Sequence, residues 1–280
     1  MSLSINTNIA AIDAYNNLNN TSNAMQTTIQ QLSSGLQIQT AADNASGYVI
    51  SQGLQTQANG LGVAINNGQN AISVLQIASG AMNQQVSILQ RMNELATQAA
   101  NQGATNPNSL AADQQEFQAL QNQLDQIANS TSFGGTSLLT GSYTNQVFQI
   151  GAYASTVDQV TVSIGALTTG ALSVAASGSF AISIGTVSAA ISAMAAVQSA
   201  IMSVASVEAS VGAVQNQIQA VVANDTVGQQ NVQAANSSLV DTNMAQAMTT
   251  FSSQQVLMQA GVAMLSQAQA LPQLILKLIP

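Results

Sequence analysis

Apolar residues recur at helical spacing over both ends of the chain. Met25, Ile29, Leu32 and Leu36 step by 4, 3 and 4, with Leu18 ahead of them. The pattern then stumbles through Gly35, Asp43, Asn44 and Gly47, which predicts a helix break. A second register follows through Leu61, Ile65, Ile72, Leu75, Met82, Val86, Leu89 and Ala96, spaced as a heptad seam. Gly103, Pro107 and Asn108 are expected to end it, since proline cannot continue a helix. Leu110, Phe117, Leu120, Leu124 and Ile127 predict a shorter helix, entered after Ser109.

The middle changes character. FGGTSLLTGS (133–142) is turn chemistry, and two β-branched runs near 144–152 and 157–165 predict a small hairpin. Residues 165–186, rich in Gly, Ser, Ala and Thr, read as a loop or a further hairpin. Helix returns from about 187, with Val204, Val207, Val211, Val214, Ile218 and Val221 stepping 3, 4, 3, 4, 3 and a loop expected near Asn224–Gly228. Met244, Met248, Phe251, Met258, Val262 and Leu265 carry a last stripe toward Pro272. The fold class is mainly α, with long antiparallel coiled-coil-like helices around a small β-hairpin region. Narrow stripes of this kind cannot be buried by one helix alone, so the helices need each other or other chains.

Composition narrows the chemistry. Charged residues make up 4% of 280, against about 25% in an ordinary globular protein. The only cations are Arg91 and Lys277, and the net charge is −8, so nothing here attracts nucleic acid or an anionic membrane. There is no Cys and no His, which excludes thiolate nucleophiles, disulfides, the usual zinc sites and His-based triads. No cofactor or metal is implied. Asp113 and Glu116, three apart, read as an exposed acidic first turn rather than an acid–base pair. Arg91 and Glu94 are spaced for an ion pair. The start of the chain has neither a basic opening nor an apolar core, so no cleavable secretory signal is expected. The uncharged run 159–207 is interrupted by Ser, Thr, Gly and Gln, which argues against a membrane span.

Five blocks carry a family resemblance: INTN (5–8), LSSGL (32–36), AADNASG (41–47), LQRMNELATQAAN (89–101) and QAGVAMLSQAQALPQ (259–273). In order and spacing they resemble the terminal signatures of bacterial flagellin, and FGGTSLLTG and FQIGA resemble the stretch after that family's second helix. The resemblance implies an inner-core coiled-coil domain from residues 1–44 and 240–280. It implies a helical rod with a β-hairpin from 45–165 and 190–239, and a vestigial variable insertion at 166–189.

It implies a structural subunit, not an enzyme, that polymerises into an extracellular flagellar filament for motility after export unfolded through the flagellar channel. The assembly seam would use Leu18, Met25, Ile29, Leu32, Leu36, Met244, Met248, Phe251, Met258, Val262 and Leu265. Gly35, Asp43 and Gly47 would form the joint, with the two glycines supplying flexibility. Partners implied are identical subunits, junction and cap proteins, and an export chaperone on the C-terminal helix (about 244–279). A vertebrate innate-immune receptor is also implied, because Gln90, Arg91, Glu94, Leu95 and Glu116 match the residue types of its epitope, while Asn93 departs from the Arg common there.

A hook–filament junction protein is the alternative, since it shares the terminal helices. From other classes, an enzyme or a membrane-embedded signalling bundle finds less support in these residues. The scarcity of charge itself points to acid. A chain this long would ordinarily carry roughly 35 basic residues. Once its carboxylates are protonated, this one keeps about +3. A glycosylated surface is the competing explanation, with Asn129-Ser130-Thr131 a sequon.

Overall fold

In a computed structural model, residues 7–101, 106–178 and 181–276 are described, with side chains to 270. Ile5, Asn6, Gly103 and Lys277 lie outside them. Five helices occur in the order α1 (Ile9–Ser34), α2 (Ala45–Ala99), α3 (Pro107–Ser130), α4 (Val187–Val240) and α5 (Met244–Leu276). Four short strands lie between α3 and α4: β1 (Ser132–Phe133), β2 (Thr136–Ser137), β3 (Gln146–Gln149) and β4 (Gln159–Val162). The chain divides into two compact units. One comprises Met1–Thr56 with Asn231–Pro280, and the other Gln57–Gln230.

In the first unit α1 lies antiparallel to α5. Asn8 caps α1 by accepting the Ala11 N–H at 3.1 Å, and its amide reaches across to the Ala268 carbonyl at 2.7 Å. Gly35 ends α1 in the left-handed region at φ 74°, where a side chain is disfavoured, and its N–H closes on the Gln31 carbonyl.

The second unit holds the larger core. Along α2, two columns at heptad spacing face inward: Leu61, Gly68, Leu75, Met82, Leu89, Ala96, and Ala64, Ala71, Ala78, Gln85, Met92, Ala99. The first column contains five of the expected seam residues. Ile65, Ile72 and Val86 only flank it, because the second column is filled by small residues and a glutamine that a search for large apolar letters passes over. On α4 the buried column is Ala190, Ala193, Val197, Ala200, Val204, Val211 and Ile218. At Gly68 a Cβ would overlap the Val222 side chain, so the missing side chain is what admits α4 at that point. The expected loop at Asn224–Gly228 does not form, and α4 continues unbroken to Val240. A lone Gly228 costs a helix only about 1 kcal/mol, too little to break it. Helix α4 is also long and apolar enough, by length and composition, to cross a membrane. That differs from the sequence reading, because runs of Ala, Val, Ile and Met outweigh the Ser and Gln between them.

Pro107 opens α3 rather than merely ending α2. Asn106, not Ser109, is the N-cap, and Ser109 closes the reciprocal capping box. Gly134 and Gly135, both at positive φ, turn β1 into β2. β3 and β4 pair antiparallel with Val147 opposite Thr161, within the predicted runs.

Much of the described part of 166–189 packs into the core. Leu167, Leu172, Val174 and Ile184 are buried in the core, and Thr169 with them. The described part of 165–186 forms turns and one isolated bridge, Ala175 to Ala181, rather than a hairpin. Its few large apolar residues, spaced among Gly, Ser and Thr, are buried against the helices.

Candidate functional site

The α1–α5 pair shows which faces are used within the chain. Beside Ser22, Gln31 and Ala270, which are also half-buried, the half-buried or buried positions form two sets: Ala11, Ala14, Leu18, Thr21, Met25, Thr28 and Leu32 on α1, and Ala247, Phe251, Gln254, Met258, Gly261, Leu265 and Ala268 on α5. Both sets step alternately by 3 and 4. Of the expected seam residues, Leu18, Met25, Leu32, Phe251, Met258 and Leu265 face the partner helix. Ile29, Leu36, Met244, Met248 and Val262 do not, and all are exposed. Small and polar residues hold their places because the two helices approach closely: a Cβ at Gly261 would come within 3.2 Å of Leu18 Cδ1. Beyond the seam, Ile9, Tyr15, Leu257 and Met264 are between 55% and 64% exposed. A groove of about 510 Å³ runs past Asp13, Leu18, Leu257, Gly261 and Met264. A helix pair has only one shared face, so apolar residues on its outer sides have no cover within the pair.

The joint is written in uncharged hydrogen bonds. The Gln37 N–H donates to the Val240 carbonyl at 2.6 Å, and the Thr242 N–H to the Gly35 carbonyl at 2.8 Å. The Gln31 amide donates to the Gln37 carbonyl at 3.4 Å, and the Gln39 amide to Ser34 Oγ at 2.7 Å. Beside them a groove of about 350 Å³ is lined by Thr28, Gln31, Gln37, Thr242, Gln246 and Thr250, none of them ionisable.

The joint also holds two carboxylates: Asp241, which accepts the Ser237 hydroxyl, and Asp43. Its carboxylate accepts the N–H groups of Thr40 and Gln39 and the Thr40 hydroxyl at 2.9–3.1 Å. The Thr40 backbone bond is the strongest influence, followed by that of Gln39, and together they hold the carboxyl below its ordinary range. Gly47 is not a flexible letter. It lies inside α2, where a Cβ would stand 2.6 Å from Ile38 Cδ1, so its role is close approach.

On the second unit, Arg91 joins two carboxylates. Its guanidinium donates to Glu116 Oε1 on α3 at 2.9 Å and to Glu94 Oε2, one turn away, at 3.1 Å. These bonds, with Glu116 first, raise the Arg91 pKa further above its ordinary value. Gln90, Arg91, Glu94 and Glu116 are all exposed, whereas Leu95 is 2% exposed and belongs to the core. Leu95 therefore cannot be presented to a receptor on this surface. Among the described residues, Asp and Glu form no group of three that could hold a metal.

Four polar side chains that the pattern reading missed clamp 165–186 onto the helices. The buried Gln85 donates to the Leu167 carbonyl at 3.0 Å. Gln121, also buried, lies within 2.9–3.3 Å of the carbonyls of Val174, Ala175 and Ile182. Asp125 receives both the N–H and the hydroxyl of Thr169, at 2.8 and 2.7 Å, and Gln114 receives the Ile184 N–H at 2.6 Å. The available signal was position: Gln85 and Gln121 occupy inward heptad places where a solvent-facing amide does not belong.

Comparison with known proteins bears on these helices directly. A family model described as the bacterial flagellin N-terminal helical region matches residues 5–144, and one described as the bacterial flagellin C-terminal helical region matches 194–279. Flagellin of Bacillus subtilis (strain 168) is 36% identical over 303 residues, spanning 98% of this chain and 99% of that protein. Flagellin D of Vibrio cholerae is 45% identical over 152 residues, which is 54% of this chain but only 40% of the Vibrio protein. The crystal structure of Bacillus cereus flagellin aligns at a TM-score of 0.49 with 25% identity, over 57% of this chain and 88% of that one. Matches to both terminal helical regions, and to a relative along nearly its whole length, place this chain in the bacterial flagellin family.

Proposed function

We propose that this chain builds a flagellar filament suited to acid surroundings. As a flagellin it is a structural filament subunit serving motility, and it assembles with copies of itself. The family's filament lies outside the cell. The acid reading rests on one observation: the joint and the helix clamps are held mainly by amides, hydroxyls and backbone groups. The described ion pairs are confined to Arg91. Amides do not titrate, so protonating the carboxylates removes little of this bonding. It also uncovers only two side-chain cations, Arg91 and Lys277, to repel one another in the polymer.

Negative-stain microscopy across pH 2–7 tests this. Filaments are expected to persist at pH 3, and dissociation there comparable to that of a charge-rich flagellin refutes the proposal. Intact mass of the exported protein separates it from solubilisation by glycans, because a mass matching the bare sequence leaves no glycan to invoke.

The domain roles follow the same reading, with 1–44 and 240–280 as inner core and 45–165 and 190–239 as rod. The exposed apolar side chains Ile29, Met248, Val262 and Met264 are suited to contacts with neighbouring copies. Those on α5 also suit an export chaperone that receives the subunit before it polymerises. Gln90, Arg91, Glu94 and Glu116 form the surface an innate-immune receptor would read. Titrating the full-length chain with such a chaperone tests the α5 assignment: loss of binding in M248S or M264S is expected, and unchanged binding in both overturns it.

A further inference from the structure

Sulfur in this chain is confined to ten methionines, and His and Trp are absent along with Cys. A two-electron oxidant therefore meets thioethers before any other reactive side chain. The fold sorts them steeply by access. Met202, Met264, Met248 and Met244 are 71%, 64%, 51% and 48% exposed. Met82 and Met92 are at 0%, inside the core of the second unit. Met25, Met194 and Met258 are half-buried.

Three of the four exposed sulfurs stand on α5. Met264 follows Leu257 by one heptad, and the two line the groove with Leu18 and Gly261. Met244 and Met248, one turn apart, lie with Val262 on the other flank of the stripe that packs on α1. Leu257 and Val262 are exposed beside them. Helix α5 has no ionisable residue, and Asp13 of α1 is the one ionisable side chain lining the groove. Contact with another copy along these flanks therefore depends on burying apolar surface.

Sulfoxidation removes that basis. A hydroperoxide transfers one oxygen to the thioether: its O–O bond breaks, an S–O bond forms, sulfur gives up two electrons and hydrogen peroxide leaves as water. The product is a polar acceptor, costly to bury without a donor. We propose that Met244, Met248 and Met264 are an oxidant-sensitive modification site, and that their sulfoxidation in the unassembled chain blocks self-association through α5. The inference rests on the reading of α5's exposed side chains as contacts between copies. A thioether has no proton to lose, so the site stays reactive in acid, where a cysteine would be held as its unreactive thiol. The buried Met82 and Met92 are spared, so the modified chain keeps its fold.

The full-length chain, kept unassembled, is treated with hydrogen peroxide for the test. Peptide mass spectrometry is expected to find oxygen added at 202, 244, 248 and 264 several-fold faster than at 82 and 92. Light scattering is expected to show several-fold slower fibre growth by the oxidised chain, with its helical circular dichroism unchanged. M244L/M248L/M264L conserves volume and should grow at the same rate with or without peroxide. M202L should keep the full sensitivity. Equal growth of oxidised and untreated chains overturns the proposal, as does a collapse of the helical signal on oxidation. Loss of sensitivity in M202L alone also overturns it, because the responsible sulfur would then be on α4. If the triple variant does not grow untreated, M248L and M264L decide singly: each should lose part of the sensitivity, and full sensitivity in both overturns the proposal. Failure of the untreated, unsubstituted chain to self-associate would sink the assembly reading and this inference with it, whereas equal growth with and without peroxide sinks this inference alone.

Discussion

Replacing Gln121 by methionine isolates the clamp on residues 165–186. The volumes are similar, so little cavity forms. The loss is of donors: Gln121 Nε2 has two hydrogens to share among the carbonyls of Val174, Ala175 and Ile182. Ala175 keeps a bond from the Ile182 N–H at 2.9 Å, so the Val174 and Ile182 carbonyls are the ones left without their amide donor. An unsatisfied buried carbonyl costs about 1–3 kcal/mol. Against this, Gln121 Oε1 is itself buried without a partner, and removing it returns roughly 1 kcal/mol.

The net loss should be about 2 kcal/mol, or roughly 4–8 °C in the melting of a unit of this size. The amide does not titrate, so thermal melts followed by circular dichroism should show the same shift at pH 3 and pH 7. A shift below about 1 °C, or one present at only one pH, would mean that apolar burial rather than the amide holds the segment.

Two glycines of α2 should respond oppositely to alanine. Gly80 has open space around the position of a Cβ, so G80A should stabilise by up to about 1 kcal/mol through helix propensity. At Gly68 the same methyl meets Val222, and overpacking of about 1–3 kcal/mol should outweigh that gain; urea denaturation of both variants checks the contrast. Asp43 has a folded pKa below its ordinary value, so its contribution is present above that ordinary value and lost as pH falls through the lowered one. D43N should therefore weaken amide protection over 39–44 at pH 7 and abolish the acid-dependent loss there, as hydrogen exchange would report.

The opposite signs of Asp43 and Asp225 follow from their surroundings. Asp43 is exposed and its carboxylate receives donors from the joint's backbone. Asp225 has one buried oxygen with no donor, and burial first, then the Asp158 charge, raises its carboxyl above the ordinary value. Acid therefore weakens one loop at the joint. Of the four side chains that clamp 165–186, three are amides, Gln85, Gln114 and Gln121, and Asp125 is the one carboxylate.

The helices, the β3–β4 hairpin and the family were legible from the chain alone, because heptad spacing and terminal motifs are local properties. Spacing also located Leu61, Leu75, Met82 and Leu89 in the core. It failed at Ala64, Ala71 and Ala78, and at Thr28 and Gly261, because how close two helices come decides whether a small side chain fills a seam. The same closeness leaves Ile29, Met244, Met248 and Val262 outside the α1–α5 pair although their spacing is helical. Gly47 shows the difference in a single residue: the sequence marks a glycine near a break, and only Ile38 packed against it shows that close approach is the reason. For 165–186, composition suggested a loop or a further hairpin. The tertiary structure buried Leu167, Thr169, Leu172, Val174 and Ile184 of it, because Gln85, Gln114, Gln121 and Asp125 lie far away in sequence and meet it only once the chain has folded.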